Sequence, residues 1–137
     1  MSATVRDLFA MRNSVVVYAC PPDITVAEAC VMLRERRVGC LVVARDGEVQ
    51  GIFSENDVVT RVVAEQRHPA TVTVSEVMSR GVPTLTLEAS TEHAAALLRG
   101  HRVRHLAVVG PRGLLGVVSL GDIARYYAMQ ERFAARS

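Results

Sequence analysis

Residues 51–57 read GIFSEND and residues 116–122 read GVVSLGD, so a glycine, a serine and an aspartate recur at identical spacing in two separate stretches of the chain. The offset between these stretches also pairs seven more identical residues upstream, which makes ten identities between residues 29–57 and 94–122 without a gap. Agreement this dense at a fixed period is typical of an internal repeat. The chain is therefore built from two copies of one unit.

Each copy is predicted to run strand, helix, strand, strand, helix. Short β-branched and apolar runs mark the strands, and apolar residues at helical spacing mark the helices. The Asp46-Gly47 pair is a typical hairpin turn between two of the strands. In the first copy we predict strands at residues 15–18, 41–44 and 49–53 and helices at residues 25–37 and 57–64; in the second, strands at residues 82–85, 106–109 and 114–118 and helices at residues 90–102 and 122–129.

These elements predict an α/β fold. A single unit of this size cannot bury both faces of a three-stranded sheet, so we expect the two copies to pack sheet to sheet about a pseudo-twofold axis. We place the first repeat, with a short lead-in, in residues 1–66. Residues 67–137 then hold a connector, the second repeat and a C-terminal helix.

Composition narrows the function further. The 137-residue chain has a net charge of only +2, 4% aromatic residues and no tryptophan, which argues against a nucleic-acid-binding protein. The longest apolar runs are too short for a membrane helix, and the three cysteines lack the close spacing of zinc or redox motifs. We therefore expect a cytoplasmic protein without a metal site, and no catalytic motif indicates an enzyme.

The repeated Ser-x-x-Asp has two chemical interpretations. A serine that starts a helix, followed three residues later by an acid, is typical of a capping box, which satisfies the backbone amides of the first helical turn. The same residue types can instead hold a nucleotide, because the hydroxyl and the amides bind phosphate while the carboxylate accepts from the two ribose hydroxyls. Recurrence with the preceding glycine favours the nucleotide site.

Longer segments of both copies resemble a known family. Residues 37–43 read RVGCLVV ahead of the first motif, residues 102–109 read RVRHLAVV ahead of the second, and residues 5–9 and 74–78 are similar lead-in segments. Together they resemble a CBS-domain pair, the tandem regulatory module named for cystathionine β-synthase, over nearly the whole chain. The resemblance implies a non-enzymatic sensor that binds adenine nucleotides or adenosyl ligands in clefts between its two repeats.

The resemblance also implies which residues line those clefts. The serine and aspartate of one repeat take phosphate and ribose, and a Val-x-x segment of the other repeat lines the adenine pocket. One cleft would join Ser119 and Asp122 to Val38, Gly39 and Cys40, with the backbone near Tyr18 closing the base pocket. The other would join Ser54 and Asp57 to Val103, Arg104 and His105, with Pro83 near the base.

The two clefts differ in their basic residues. Only the second copy has a basic pair ahead of its buried strand, Arg104-His105, where the first has Gly39-Cys40. In relatives similar to the energy-sensing kinase subunit such a pair reaches phosphate, and a guanidinium makes strong charge-assisted contacts with phosphate. We expect the cleft of Ser119 and Asp122 to bind phosphorylated ligands more tightly. The alternative is a strand edge kept soluble by its charges.

The resulting functional hypothesis is a ligand-responsive regulatory module that alters self-association or the binding of an unknown regulated protein. Candidate ligands are AMP, ADP, ATP, an NAD-type dinucleotide and S-adenosylmethionine, since all contain adenosine, and no cofactor is required. We expect a homodimer formed through exposed helices and no membrane or nucleic-acid partner. The alternative is a ligand-free structural or dimerisation module in which both Ser-x-x-Asp motifs act only as helix caps.

Overall fold

The computed structural model describes residues 3–12 and 17–136, with side chains up to residue 132. It has a mixed α/β architecture with two sheets, as the sequence predicted. The chain forms two compact units: unit 1 combines Met1–Val16 with Pro83–Ser137, and unit 2 is the continuous segment Val17–Val82.

Unit 2 is organised around a four-stranded sheet whose strands are, in spatial order, β1 (Ala19–Cys20), β2 (Cys40–Arg45), β3 (Glu48–Ser54) and β4 (Ser79–Arg80). The strand β1 runs parallel to β2, and β2, β3 and β4 follow one another antiparallel. The helix α2 (Val26–Arg36) begins at the cap residue Thr25, whose hydroxyl accepts from the Glu28 amide. The unit also contains the short helices α3 (Glu55–Asp57) and α4 (Val74–Val77).

A π-helical segment, Val58–Val63, continues directly from α3. Its wider turns are visible in the bonds from the Ala64 amide to the Val59 carbonyl and from the Arg67 amide to the Val62 carbonyl, each five residues back. Val62 is fully buried, whereas Val59 and Val63 are 60% and 67% exposed. The helix predicted at residues 57–64 is therefore present, but it starts two residues earlier and most of it is π-helix.

Unit 1 repeats this arrangement with a smaller sheet. The strands β5 (His105–Gly110) and β6 (Gly113–Ser119) form an antiparallel hairpin. Leu85 joins β5 through one parallel bridge to Val108 and occupies the position that β1 has in unit 2. The helices of unit 1 are α1 (Val5–Ala10), α5 (Thr91–His101) and α6 (Leu120–Arg136).

Each unit takes its lead-in helix from the other half of the sequence. In unit 1, Thr4 at the start of α1 bridges Ser90 at the start of α5, and the Val5 amide donates to the Ala89 carbonyl at 2.9 Å. In unit 2, Thr73 at the start of α4 bridges Thr25 in the same way. The lead-in of the first repeat thus packs with the second repeat, and the lead-in of the second packs with the first.

The first strand of each copy differs from the prediction. Val15 and Val16 of the predicted strand at residues 15–18 lie outside the described residues, and the strand itself is Ala19–Cys20. In the second copy the predicted strand at residues 82–85 is reduced to the bridge at Leu85. Parallel pairing with the buried second strand of each copy, and not the β propensity of the preceding valines, decides which residues are paired.

Candidate functional site

The predicted site residues are distributed over both units. Tyr18, Val38, Gly39, Cys40, Ser54 and Asp57 lie in unit 2, and Pro83, Val103, Arg104, His105, Ser119 and Asp122 lie in unit 1. Each predicted cleft draws on both sets, so the pairing of the two sets in clefts stays a prediction. Within each unit, the structure brings several of these residues together.

In unit 2 the end of β3 places Ser54 beside the start of β2. Cys40 and Ser54 are directly opposite each other in the antiparallel pair, and the Glu55 amide donates to the Gly39 carbonyl at 3.1 Å. Val38 is half-buried against the apolar core, and the Tyr18 carbonyl accepts from the Val42 amide at 2.9 Å. Gly39, Cys40 and Ser54 therefore form one local cluster.

Asp57 is held inside this cluster. Its Oδ2 accepts from the Ser54 amide at 2.8 Å and from the Ser54 hydroxyl at 3.2 Å, and its side chain is 7% exposed. Burial raises the pKa of the Asp57 carboxyl, against the opposing effects of the Ser54 bonds and the Arg61 charge. The Arg61 guanidinium is turned mainly toward the backbone, donating to the carbonyls of Val77 and Met78 at 3.0 and 3.1 Å. The Asp57 carboxylate therefore bonds mainly to groups inside its own unit and is little exposed.

In unit 1 the motif at the end of β6 is a reciprocal capping box. The Ser119 amide donates to Asp122 Oδ2 at 2.8 Å, and the Asp122 amide donates to the Ser119 hydroxyl at 3.1 Å. His105 lies directly opposite Ser119 in the hairpin, and Arg104 next to it is exposed. The basic pair singled out from the sequence therefore shares a unit with Ser119.

Two arginines that the sequence analysis missed bind the Asp122 carboxylate. The Arg12 guanidinium lies 2.6 Å from Oδ2 and also donates to the Val117 carbonyl at 3.2 Å. The Arg125 guanidinium donates to Oδ1 at 2.6 Å. Arg125 was detectable in principle, because it follows Asp122 by three residues and shares its helix face. Arg12 carried no such signal, since it lies near the opposite end of the sequence.

A cavity of about 210 Å³ opens at this cluster between α1 and α6. Its polar side is formed by Arg12, Asp122 and Arg125. Its apolar side is formed by Leu8, Met11, Tyr126 and Met129. The Asp122 side chain is 18% exposed, so this carboxylate can be approached from the cavity, in contrast to that of Asp57.

The glycine of the first motif has a structural role. The residue preceding Gly51 forms a bulge, because Val43 pairs with Gly51 while the next residue of β2 pairs with Val49. A Cβ on Gly51 would lie 2.6 Å from the Ser79 carbonyl oxygen and 2.9 Å from the Met78 sulfur. The close approach of β4 therefore requires glycine here, independently of any ligand.

The groups around the second motif are able to contact a sugar or a phosphate. A carboxylate beside an apolar cavity can accept hydrogen bonds from hydroxyl groups, and the guanidinium groups around it can attract phosphate. Within the described part of the chain, no group of three or more His, Cys, Asp or Glu side chains is placed to hold a metal ion. Among the same residues, no helix combines the length and apolar character needed to cross a membrane.

Comparison with known proteins finds the same two repeats that the sequence shows. The family model described as CBS domain matches twice, at residues 5–64 and 74–129. The CBS domain-containing protein YhcV of Bacillus subtilis is 34% identical over 103 residues, which cover 75% of this chain and 73% of that protein. The mitochondrial CBS domain-containing protein CBSX3 of Arabidopsis thaliana is 31% identical over 118 residues, which cover 82% of this chain but only 57% of that protein.

Solved structures show the same fold. A protein with CBS domains from Burkholderia ambifaria superimposes with a TM-score of 0.83 at 28% identity, covering 91% of this chain and 93% of that one. A CBS-CP12 protein from bloom-forming cyanobacteria, described as hexameric, gives a TM-score of 0.79 at 27% identity, covering 90% of this chain and 67% of that one.

Proposed function

This chain belongs to the CBS domain family and carries two copies of its repeat, and we propose on that premise that it is a non-enzymatic regulatory protein that binds an adenosine-containing ligand. The Asp122 cluster carries the proposal. Its carboxylate is presented to a cavity with apolar walls, and a ribose diol needs an accessible pair of acceptor oxygens of this kind. In this role Asp122 binds the ribose and Ser119 contributes its hydroxyl to the phosphate.

In this proposal the first motif, Ser54 and Asp57, contributes less to ligand binding than the second. Asp57 is nearly enclosed and its carboxyl has a raised pKa, so it offers less to an incoming sugar than Asp122 does. The basic residues Arg104 and His105 stand in the same unit as Ser119, which supports a preference for phosphorylated ligands at the second motif. The adenine contacts of Val38, Gly39, Cys40 and Tyr18 with the second motif, and those of Val103 and Pro83 with the first, remain part of the proposal.

Calorimetric titration of the full chain with AMP, ADP, ATP, NAD and S-adenosylmethionine tests the proposal. Asp122→Asn removes the charge and replaces one of the two oxygens that would accept hydrogen bonds from the ribose hydroxyls. We expect this variant to lose saturable binding. Asp7→Asn is a matched control, because Asp7 also accepts from its cap residue, the Thr4 amide at 2.9 Å, and lies outside the cavity. Both variants weaken a helix cap, which costs about 1 kcal/mol. Asp122→Asn also loses the contacts with Arg12 and Arg125, so the titrations are made at a temperature at which both variants are folded, and binding is compared there.

A structural or dimerisation module without a ligand is the second candidate. It is favoured by the internal partners that both carboxylates already have, namely Ser54 for Asp57 and Ser119, Arg12 and Arg125 for Asp122. In that case no adenosine-containing compound would raise the thermal stability of the wild-type chain, although any ligand specific to the native state must do so.

We also propose that the chain self-associates and works in the cytoplasm. The exposed valines Val59 and Val63 give the π-helical segment an apolar surface suited to a homodimer, and sedimentation velocity of the Val63→Glu variant tests it. Burial raises the pKa of the Cys20 thiol to about 11 and also raises that of Cys30. Cys20 lies in the core and Cys30 packs partly buried against it, as is usual for cysteines in a reducing compartment.

A further inference from the structure

We propose that Arg12 and Arg125 form a phosphate-binding subsite beside Asp122, and that this subsite makes the cavity selective for nucleoside phosphates over uncharged or cationic adenosyl compounds. The inference rests on the proposed function, in which Asp122 accepts the ribose hydroxyls. The two residues that would determine the class of ligand, Arg12 and Arg125, lie outside both repeated motifs.

The charges of the cavity favour an anion. Two guanidinium groups and one carboxylate line its polar side, which leaves one positive charge in excess when all three are ionised. The remaining lining residues, Leu8, Met11, Tyr126 and Met129, are uncharged. The side chains of Arg12 and Asp122 are 23% and 18% exposed, so water screens a charge beside these two groups less than it would at an open surface.

Both arginines keep hydrogen-bond donors for a ligand. Each guanidinium has five N–H groups, of which Arg12 uses some on Asp122 and on the Val117 carbonyl, and Arg125 uses some on Asp122. Arg12 is anchored by the Val117 carbonyl and by its position 4.9 Å from the centre of the Phe9 ring. The Arg125 side chain is 73% exposed and is free to turn toward the cavity.

Binding of a nucleotide would exchange one set of contacts for another. When ribose hydroxyls donate to the Asp122 oxygens, they compete with the two guanidinium groups that now occupy those oxygens. A phosphate on the same sugar gives both guanidinium groups a new anionic partner, so their charges stay paired. Adenosine supplies the hydroxyls without the phosphate and therefore leaves the 23% exposed Arg12 guanidinium without an anionic partner, whereas water solvates the 73% exposed Arg125.

The same reasoning disfavours S-adenosylmethionine. Its sulfonium occupies the position at which a nucleotide carries its first phosphate, and a positive charge there meets two guanidinium groups. Repulsion between like charges is an effective means of rejecting a wrong ligand. The cavity therefore discriminates by charge at the point where adenosyl ligands differ most.

The first repeat has no equivalent subsite among the described residues. The ion-pair partner of Asp57 there is Arg61, whose Nε lies 3.7 Å from Oδ1. The same guanidinium is fixed to the carbonyls of Val77 and Met78. Its Nη1 group is committed to these backbone carbonyls, and the Asp57 carboxylate beside it is only 7% exposed, so selectivity for phosphate is assigned to the Asp122 cavity.

Calorimetry of the full-length chain with AMP and adenosine tests the inference, because these ligands differ only in the phosphate. We expect wild type to bind AMP at least about tenfold more tightly than adenosine, the factor that loss of a charge-assisted bond produces. Arg125→Gln should reduce that preference about tenfold and leave the affinity for adenosine within about twofold. Arg12→Gln should act in the same direction, and Arg99→Gln, an exposed charge on α5 of the same unit, is the matched control.

Arg125 is exposed enough that its substitution leaves the fold intact, so the test stands even if Arg12→Gln unfolds α1. Equal affinity of wild type for AMP and adenosine, or equal weakening of both ligands in Arg125→Gln, overturns the inference while the proposed function survives. Tight binding of S-adenosylmethionine alone does the same. If wild type binds neither nucleotides nor adenosine nor S-adenosylmethionine, the proposed function fails and the inference fails with it.

Discussion

Replacing Gly51 with alanine should destabilise the protein, because the added methyl group has no room. Its carbon would lie 2.6 Å from the Ser79 carbonyl oxygen, which is backbone of β4, and 2.9 Å from the Met78 sulfur. Met78 can turn aside, but the carbonyl can retreat only if β4 moves away from β3 and breaks the pairs of Gly51 with Arg80 and of Ile52 with Ser79. Overpacking of this kind costs about 1–3 kcal/mol.

Urea unfolding followed by circular dichroism measures that loss as a change in the free energy of unfolding. Gly100→Ala is the matched control, because a Cβ on Gly100 meets nothing within 4 Å and the residue lies inside α5. That substitution should stabilise the chain by about 0.5–1 kcal/mol, since alanine loses less backbone entropy in a helix than glycine does. If Gly51→Ala is as stable as wild type, the argument that β4 requires glycine at this position is wrong.

Two further predictions concern ionisable groups. Because burial raises the pKa of Asp57, the native state binds a proton more readily than the unfolded chain, so its contribution to stability falls as pH rises from the ordinary pKa of 3.8 through the raised native value. The stability of wild type relative to Asp57→Asn, measured by urea unfolding between about pH 4 and pH 7, should therefore decrease with pH, and a constant or rising difference contradicts this reasoning. Cys20 is buried with a thiol pKa of about 11, so iodoacetamide at neutral pH should label it only after unfolding, as mass mapping would show. Native labelling of Cys20 at the rate seen in urea would show that this part of the core opens readily.

The repeat and the hairpins were predictable because their signals are local. The strands β2 and β3 and the helices α2 and α5 follow from runs of apolar residues, turn residues and caps that lie within a few positions of one another. The recurrence of Ser-x-x-Asp likewise located both capping boxes from the sequence alone. The family resemblance rested on the same segments.

Long-range contacts were beyond that reasoning. The lead-in segments at residues 5–9 and 74–78 look alike, and nothing in either one indicates which repeat it packs against. The contact of Arg12 with Asp122 joins positions near opposite ends of the sequence, and an isolated arginine gives no periodic signal. The π-helical geometry of Val58–Val63 was hidden for a different reason: π-helical turns are rare and occur mostly inside α-helices, so an apolar pattern of this length predicts an α-helix.

The exchange of lead-in helices also fixes the order in which the chain can fold during synthesis. All of unit 2 lies in one continuous stretch, so its contacts become available once residue 82 has left the ribosome. The helix α1 is made before unit 2, yet its partners, such as the Ala89 carbonyl and Ser90, are made only after the whole of unit 2. Domains commonly fold as units while synthesis continues. Unit 2 can therefore fold first, and α1 can pack only when the rest of unit 1 has been synthesised. A helix that is synthesised before unit 2 in this way acquires its native contacts only after unit 2 is complete.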